Sequence, residues 1–297
     1  MLTKFISDIS KYTFYSIVVL KDGVKVAEYH REKEIRRNQF SATKCLMGTA
    51  IGIAVGEGRM SLDDKVLDYF PNDIGNIEGE QLECLRLMTV RDTLAMTAGY
   101  TEPGLLFDRT PYRDKDWVQI CLNSPLSLEA RGKFFYTNCT SHLAAVILEK
   151  VAGMNMVDYL MPRIFEPLGI ERPDWEYSPQ GNAFGGSGAM LTTNELSRFG
   201  QLYLQNGIYN GKRLIPEQWI KEATVKQVAT RSRQAEKNYG YGYTFWLGRE
   251  GSYRATGKCG QNCMIIPNRN VVVAYNADDR RTEEMMTLVW DDVISNL

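Results

Sequence analysis

The chain has 297 residues, 44% apolar and 24% charged, with 35 Lys and Arg against 36 Asp and Glu. A net charge near −1 gives no electrostatic draw toward nucleic acid or an anionic membrane, and the length allows one large core or two interleaved lobes. No stretch approaches the roughly 20 continuous apolar residues of a membrane span, and Met1 to Ser16 has no signal-peptide apolar run, so a cytoplasmic location is expected.

Residues 15–20 are rich in β-formers, Lys21-Asp22-Gly23 supplies a turn and residues 24–29 alternate, which predicts a hairpin. A helix is predicted over residues 41–57, stopped by Gly58 and apolar nearly all round, hence buried. Such a helix is an unusual place for a serine and a lysine unless both face a cleft. Residues 62–180 read as helical with long connections: helices open at Ser61 and Thr89 and cover 143–151 and 157–165. Residues 193–206 and 216–225 are again helical. After residue 238, β-type runs at 241–247, 252–257, 261–266 and 270–276 read as an antiparallel meander, and a last helix covers 282–296.

The predicted fold class is therefore α+β, of the α/β sandwich type. An antiparallel sheet built from both chain ends (1–62 and 183–297) is flanked by helices, a mostly helical lobe (63–182) is inserted, and the cleft between them is the expected ligand site.

Ser41 and Lys44 form the only Ser-x-x-Lys of the chain, although roughly one is expected by chance at this length. At helical spacing they put a hydroxyl and an amine on one face, a nucleophile beside a base. Burial and the positive end of a helix dipole both lower a lysine pKa. Histidine-based chemistry has little material: His30 lies among surface charges and His142, near a helix start, reads as meeting solvent or a backbone partner. Gly185-Gly186-Ser187-Gly188-Ala189 resembles a nucleophile elbow, but ends in Ala and lacks a clear preceding strand.

Two further stretches carry polar chemistry. Tyr136 and Asn138, read as extended, point to one side, and a phenol near a cation is expected to have a lowered pKa and to shuttle protons. Residues 254–261 place glycines between two strands, where a ligand can approach backbone and the Lys258 N–H can serve as an oxyanion donor with that of Ser41. Tyr239, Tyr241, Tyr243, Phe245 and Trp246 suit either a cleft wall or a core strand. Arg36-Arg37 and Arg280-Arg281 read as solvated surface. The six cysteines read as reduced thiols, and Cys259 and Cys263 have no His nearby to complete a metal site.

Taken in order, these stretches resemble the serine β-lactamase and penicillin-binding-protein superfamily, and most closely its class C β-lactamase-like hydrolases. Ser41-x-x-Lys44 matches the nucleophile motif, Tyr136-x-Asn138 the Tyr-x-Asn motif, and Ala255-Thr256-Gly257 the place of the Lys/His-Thr-Gly strand. The flanks, residues 56–64, 88–99, 165–169 and 239–243, agree. The resemblance implies that Ser41 attacks an acyl carbon, that Lys44 and Tyr136 relay its proton, and that Asn138, Thr256, Gly257 and Lys258 bind substrate or its oxyanion. It implies no metal and no organic cofactor, and a small-molecule ester or amide as partner. Ala255 departs from the pattern, because relatives carry there the cation that recognises a substrate carboxylate. The expectation is a serine hydrolase of esters or amides; the alternatives are a β-lactamase or D-Ala-D-Ala carboxypeptidase, and a sensor domain without turnover.

Overall fold

The computed structural model describes residues 2–106 and 108–297. The predicted hairpin is present: β1 (Phe14–Lys21) and β2 (Val24–His30) pair antiparallel across the Asp22-Gly23 turn. Two short ladders follow, β3 (Arg37–Asn38) on β4 (Met190–Leu191) and β5 (Ile208–Tyr209) on β6 (Lys212–Arg213). Strands β7 (Trp246–Leu247), β8 (Tyr253–Thr256), β9 (Asn262–Ile266) and β10 (Val271–Ala277) complete the main sheet in the order β2-β1-β10-β9-β8-β7. The two ends of the chain thus meet where β1 pairs with β10.

The helices are α1 (Thr3–Ile9), α2 (Thr43–Gly56), α3 (Gly79–Leu87), α4 (Val90–Ala95), α5 (Trp117–Asn123), α6 (Asn138–Ala152), α7 (Met156–Leu160), α8 (Thr193–Leu204), α9 (Glu217–Ala223) and α10 (Thr282–Leu288). Strand alternation sends one set of side chains to each face of the sheet. Val18, Leu20, Cys263, Ile265, Val272 and Ala274 join a core with α2 and α8. Ile17, Val19, Met264, Ile266, Val271 and Val273 join a second core with α1 and α10. Both faces are covered, which is why β10 reads as one apolar run and not as an alternating strand.

The sequence reading missed α1, whose polar residues mask the two apolar anchors Phe5 and Ile9. The helix expected at Ser61 is a turn followed by a single 3-10 turn at Val66–Tyr69. Of the expected strand at 241–247 only Trp246 and Leu247 are regular, because Thr244 takes a left-handed φ of 67° that breaks a ladder. The last helix is α-helical only to Leu288 and continues as wider and tighter turns.

Helix α2 is buried along almost its whole length. Its neighbours approach closely on one side, where Gly48, Gly52 and Gly56 recur every fourth residue. A methyl at Gly52 would overlap the Trp219 indole, and one at Gly56 the Pro216 ring. Trp219 has little freedom to yield: it is 4% exposed, donates to the Tyr203 hydroxyl at 3.1 Å and stacks on Tyr243. Alanine is the better helix former by about 1 kcal/mol, but overpacking against a fixed ring costs about 1–3 kcal/mol or more. Gly52→Ala is therefore expected to lower the melting temperature by roughly 2–6 °C in calorimetry; an unchanged or higher midpoint would show that the Trp219 seat can relax.

Candidate active site

Ser41 lies in a single 3-10 turn, Phe40–Ala42, and not inside the α-helix as expected. Phe40, whose φ of 43° is left-handed, bounds this turn on its N-terminal side, and the turn runs directly into α2. The Asn38 side chain holds this conformation by accepting the Phe40 N–H at 2.7 Å. The Ser41 N–H, just past the kink, has no backbone hydrogen-bond partner among the described residues.

Lys44 follows in the first turn of α2 and is wholly buried. Its Nζ donates to Asn138 Oδ1 at 2.8 Å and to the Gly186 carbonyl at 2.8 Å, and stands 3.4 Å from Ser41 Oγ. The sequence pattern puts Asn138 on an extended run, with a helix starting near residue 143. Instead the Thr137 hydroxyl accepts the Cys139 N–H and donates to the Pro103 carbonyl, which starts α6 at Asn138. The Asn138 amide donates to the Leu105 carbonyl at 3.1 Å, which turns its oxygen toward Lys44. Tyr136, one residue outside this cap, still reaches the same place: the Lys44 ammonium sits 5.0 Å from its ring centre.

Gly186 belongs to the stretch read as an imperfect nucleophile elbow. Ser187 is buried with no partner for its hydroxyl among the described residues. The glycines have a different role: a methyl at Gly185 would strike the Ser141 carbonyl, and one at Gly186 would lie 2.9 Å from Asn138 Oδ1. The absence of side chains lets this segment lie on α6 and offer a carbonyl to Lys44. Glu149, near the other end of α6, fixes the start of the segment by accepting from Asn182 Nδ2 at 2.7 Å and from the Ala183 N–H at 3.0 Å.

Burial, aided by the positive charge of Arg109, pushes the Lys44 pKa down to about 7. For Tyr136 the expectation of a lowered pKa is overturned. Loss of water around the phenol raises its pKa, and the nearby Ser41 hydroxyl opposes this only in part. The cation expected to lower it is itself half neutral near pH 7 and so acts weakly. His142 is corrected as well: it is buried inside α6, both ring nitrogens lack partners among the described residues, and burial pushes its pKa down to about 3. It packs against Trp117 and Phe184 as a core residue.

The opposite wall is the end of β8. Thr256, Gly257 and Lys258 line a cavity of about 430 Å³ together with Ser41 and Tyr136. Gly257 allows the contact, since a methyl there would stand 2.6 Å from the Gln39 carbonyl. Thr256 Oγ1 is buried without a partner among the described residues. Ala255 is 0% exposed and packs in the main core, so position 255 presents no group to the cavity. Arg254 is also turned away, its guanidinium donating to the carbonyls of Leu247 and Glu236.

The sequence reading left Trp246 open as cleft wall or core, and missed Phe134, Arg231 and Lys237 as cavity residues. Phe134 and Trp246 form an aromatic wall, Trp246 stacking on Tyr136 with centroids 5.6 Å apart. Of the five aromatics between 239 and 246, Trp246 lines the cavity, Tyr239 is exposed outside it, and Tyr241, Tyr243 and Phe245 are wholly buried. Arg231, Lys237 and Arg280 also line it; Arg280 is exposed, as expected of a surface residue. A signal for Trp246 existed in the aromatic run; the cations lie in loops with no pattern to mark them.

The family model "Beta-lactamase" matches residues 16–293. The chain belongs to the β-lactamase family. It is 25% identical over 287 residues to a 6-aminohexanoate-dimer hydrolase of Paenarthrobacter ureafaciens, covering 87% of this chain and 71% of that protein. Among solved structures it resembles a penicillin-binding protein homologue from Caulobacter crescentus, with a TM-score of 0.75 at 18% identity over 97% of this chain and 95% of the other. The octameric penicillin-binding protein homologue of Pyrococcus abyssi gives a TM-score of 0.74 at 19% identity, covering 97% and 76%. Family and relative together make the chain a β-lactamase-family hydrolase, with the expected mixed fold. Among the described residues no helix of this β-lactamase-family chain is long and apolar enough to cross a membrane.

Proposed function

We propose that the protein is a serine hydrolase that cleaves an ester or amide through an acyl-enzyme on Ser41. One observation carries this reading: two partners of the Lys44 nitrogen, Asn138 Oδ1 and the Gly186 carbonyl, can only accept. A neutral amine has two N–H groups to give and one lone pair. With both donors committed, the lone pair faces the third neighbour, Ser41 Oγ, at 3.4 Å. Lys44 then takes the Ser41 proton as the hydroxyl attacks an acyl carbon. The N–H groups of Ser41 and Lys258 receive the oxyanion, and Thr256 Oγ1 offers a further hydrogen bond at the mouth of β8. Tyr136, protonated at neutral pH, hands a proton to the departing oxygen or nitrogen and recovers it from the water that frees the acyl group, while Lys44 returns its proton to Ser41 Oγ. Asn138 positions Lys44. The relative named for the hydrolysis of a 6-aminohexanoate dimer supports an amide as well as an ester.

Lysine is the base only when neutral, so kcat/KM is expected to rise tenfold per pH unit below about 7 and to level off above it. If Tyr136 were the base in the free enzyme, the rise would continue past pH 10, because its pKa is raised. The pH profile of p-nitrophenyl acetate hydrolysis separates the two. The nucleophile is tested with a fluorophosphonate, a chromogenic cephalosporin and the acetate ester on the native protein and on Ser41→Ala. Ser41-dependent turnover and a single fluorophosphonate adduct are the expected result. A stable adduct without turnover would make the protein a sensor, fast cephalosporin hydrolysis would make it a β-lactamase proper, and full activity in Ser41→Ala would remove Ser41 from the mechanism.

A further inference from the structure

The cavity beside Ser41 is lined by Arg231, Lys237, Lys258 and Arg280 and by no carboxylate among the described residues, in a chain whose net charge is −1. Asp278 is exposed and does not line the cavity, and other acids on these segments have other partners. Glu236 pairs with Arg249, Asp279 with Arg281, and Glu283 accepts the Ala235 N–H at 2.7 Å. Arg231 and Arg280 make no ion pair or side-chain hydrogen bond among the described residues. Lys237 is only partly exposed, and its ammonium lies 5.2 Å from the Trp246 ring centre. Its pKa is lowered by burial and by the charge of Arg254, which Glu283 only partly offsets, so this half-buried ammonium is short of counter-charge.

These cations do not occupy the family's position. That position is Ala255, buried in the core on β8. They come instead from the 231–237 loop and from the segment after β10. Trp246 and then Tyr136 stand between Lys237 and Lys44, each ring contact spanning 5 to 6 Å. Resting on the serine-hydrolase reading above, we propose that this site takes esters or amides with a carboxylate remote from the scissile bond, held at the cavity rim by Arg231, Lys237 and Arg280. The apolar spacer between the two lies against Phe134 and Trp246. A cavity with aromatic walls and a cationic rim matches such an amphipathic acyl chain, and clustered cations of one sign draw the anion in.

The test uses mono-p-nitrophenyl esters of fumarate and of pimelate, each beside its neutral methyl-capped counterpart. The readout is the ratio of kcat/KM for the anionic ester to that for its neutral partner. For pimelate the ratio is expected to exceed ten, to fall at least tenfold in Lys237→Gln and in Arg280→Gln, and to shrink in 0.5 M salt. Lys237→Arg should keep most of it. For fumarate, whose carboxylate stays close to the ester but cannot close on it, the ratio should be near one. A pimelate ratio near one, or one that both Gln variants leave within twofold, overturns the proposal, and equal ratios for the two diacids overturn the remote placement. Melting curves of each variant separate loss of fold from loss of recognition. Ester turnover that survives Ser41→Ala defeats the underlying reading instead, whereas Ser41-dependent turnover with unmoved ratios defeats this inference alone.

Discussion

Replacing Lys44 by methionine is expected to cut kcat/KM for an ester substrate by roughly 10³-fold and to remove part of the pH dependence of folding stability. The first effect follows from geometry: no other amine or imidazole among the described residues is hydrogen-bonded to Ser41 Oγ. The second follows from linkage. The Lys44 pKa is about 7 in the folded protein against 10.5 for an ordinary lysine. Between those values the unfolded chain binds a proton that the folded one does not, so native stability rises with pH across that window. Below pH 7 both states are charged and the full cost of burying the ammonium is present. At about 1.4 kcal/mol for each pH unit crossed inside the window, the native protein should gain roughly 4 kcal/mol on the variant between pH 7 and pH 10. Methionine also strands the Asn138 and Gly186 oxygens, at about 1–3 kcal/mol each, so the difference at any single pH is less telling than its slope. Denaturant melts of both proteins at pH 7 and pH 10 give that slope. Parallel stability profiles would show that Lys44 is not depressed, and activity within tenfold of native would show that another group takes the proton.

Gly257→Ala should lower kcat by roughly 10²–10³-fold while leaving KM nearly unchanged. An added methyl would stand 2.6 Å from the Gln39 carbonyl and 2.5 Å from Gln261 Oε1. Neither neighbour yields easily. The Gln39 N–H donates to the Ala189 carbonyl, and its side chain bonds the Leu191 carbonyl and Asn276 Oδ1. Gln261 is held by donating to the Ala277 carbonyl at 2.5 Å. The end of β8 must therefore move away from the Ser41 turn, which spreads the two N–H groups assigned to the oxyanion. That loss is felt in the transition state more than in the bound substrate, hence in kcat. A normal kcat with a raised KM would place Gly257 in substrate binding and not beside the oxyanion.

Much of this arrangement is legible in the sequence, because the motifs encode it through spacing. Ser41 and Lys44 are three apart, so any helical turn brings them together. The sheet from both chain ends follows from β-type runs at the two termini, and β10 is recognisable from its apolar run alone. What fails is local. The start of α6 at Asn138 depends on a Thr137 cap that also needs the Pro103 carbonyl from a distant loop. The left-handed Phe40 is held by an Asn38 side chain and leaves no mark in composition. His142 is misplaced for the same reason: with α6 starting five residues early, it falls inside the helix and faces the core. The Gly186 carbonyl is invisible because a backbone group has no residue signature. The cations of the rim lie far apart in sequence and meet only once β10 and the 231–237 loop are folded.

The close packing on α2 has a consequence for anyone wishing to make this enzyme hardier. Replacing helix and loop glycines by alanine is a common route to thermostability, since it restrains the unfolded chain. Here that route is closed. Each of the 25 glycines either has an atom less than 3 Å from the place a Cβ would take or adopts a left-handed φ. Helix α2 is the extreme case, with Thr244, Trp219 and Pro216 filling the space along it. Stabilising changes must come from elsewhere, through surface charge or helix caps. The caps of α3 and α9 are open candidates, since neither Glu78 nor Pro216 provides a side-chain capping hydrogen bond.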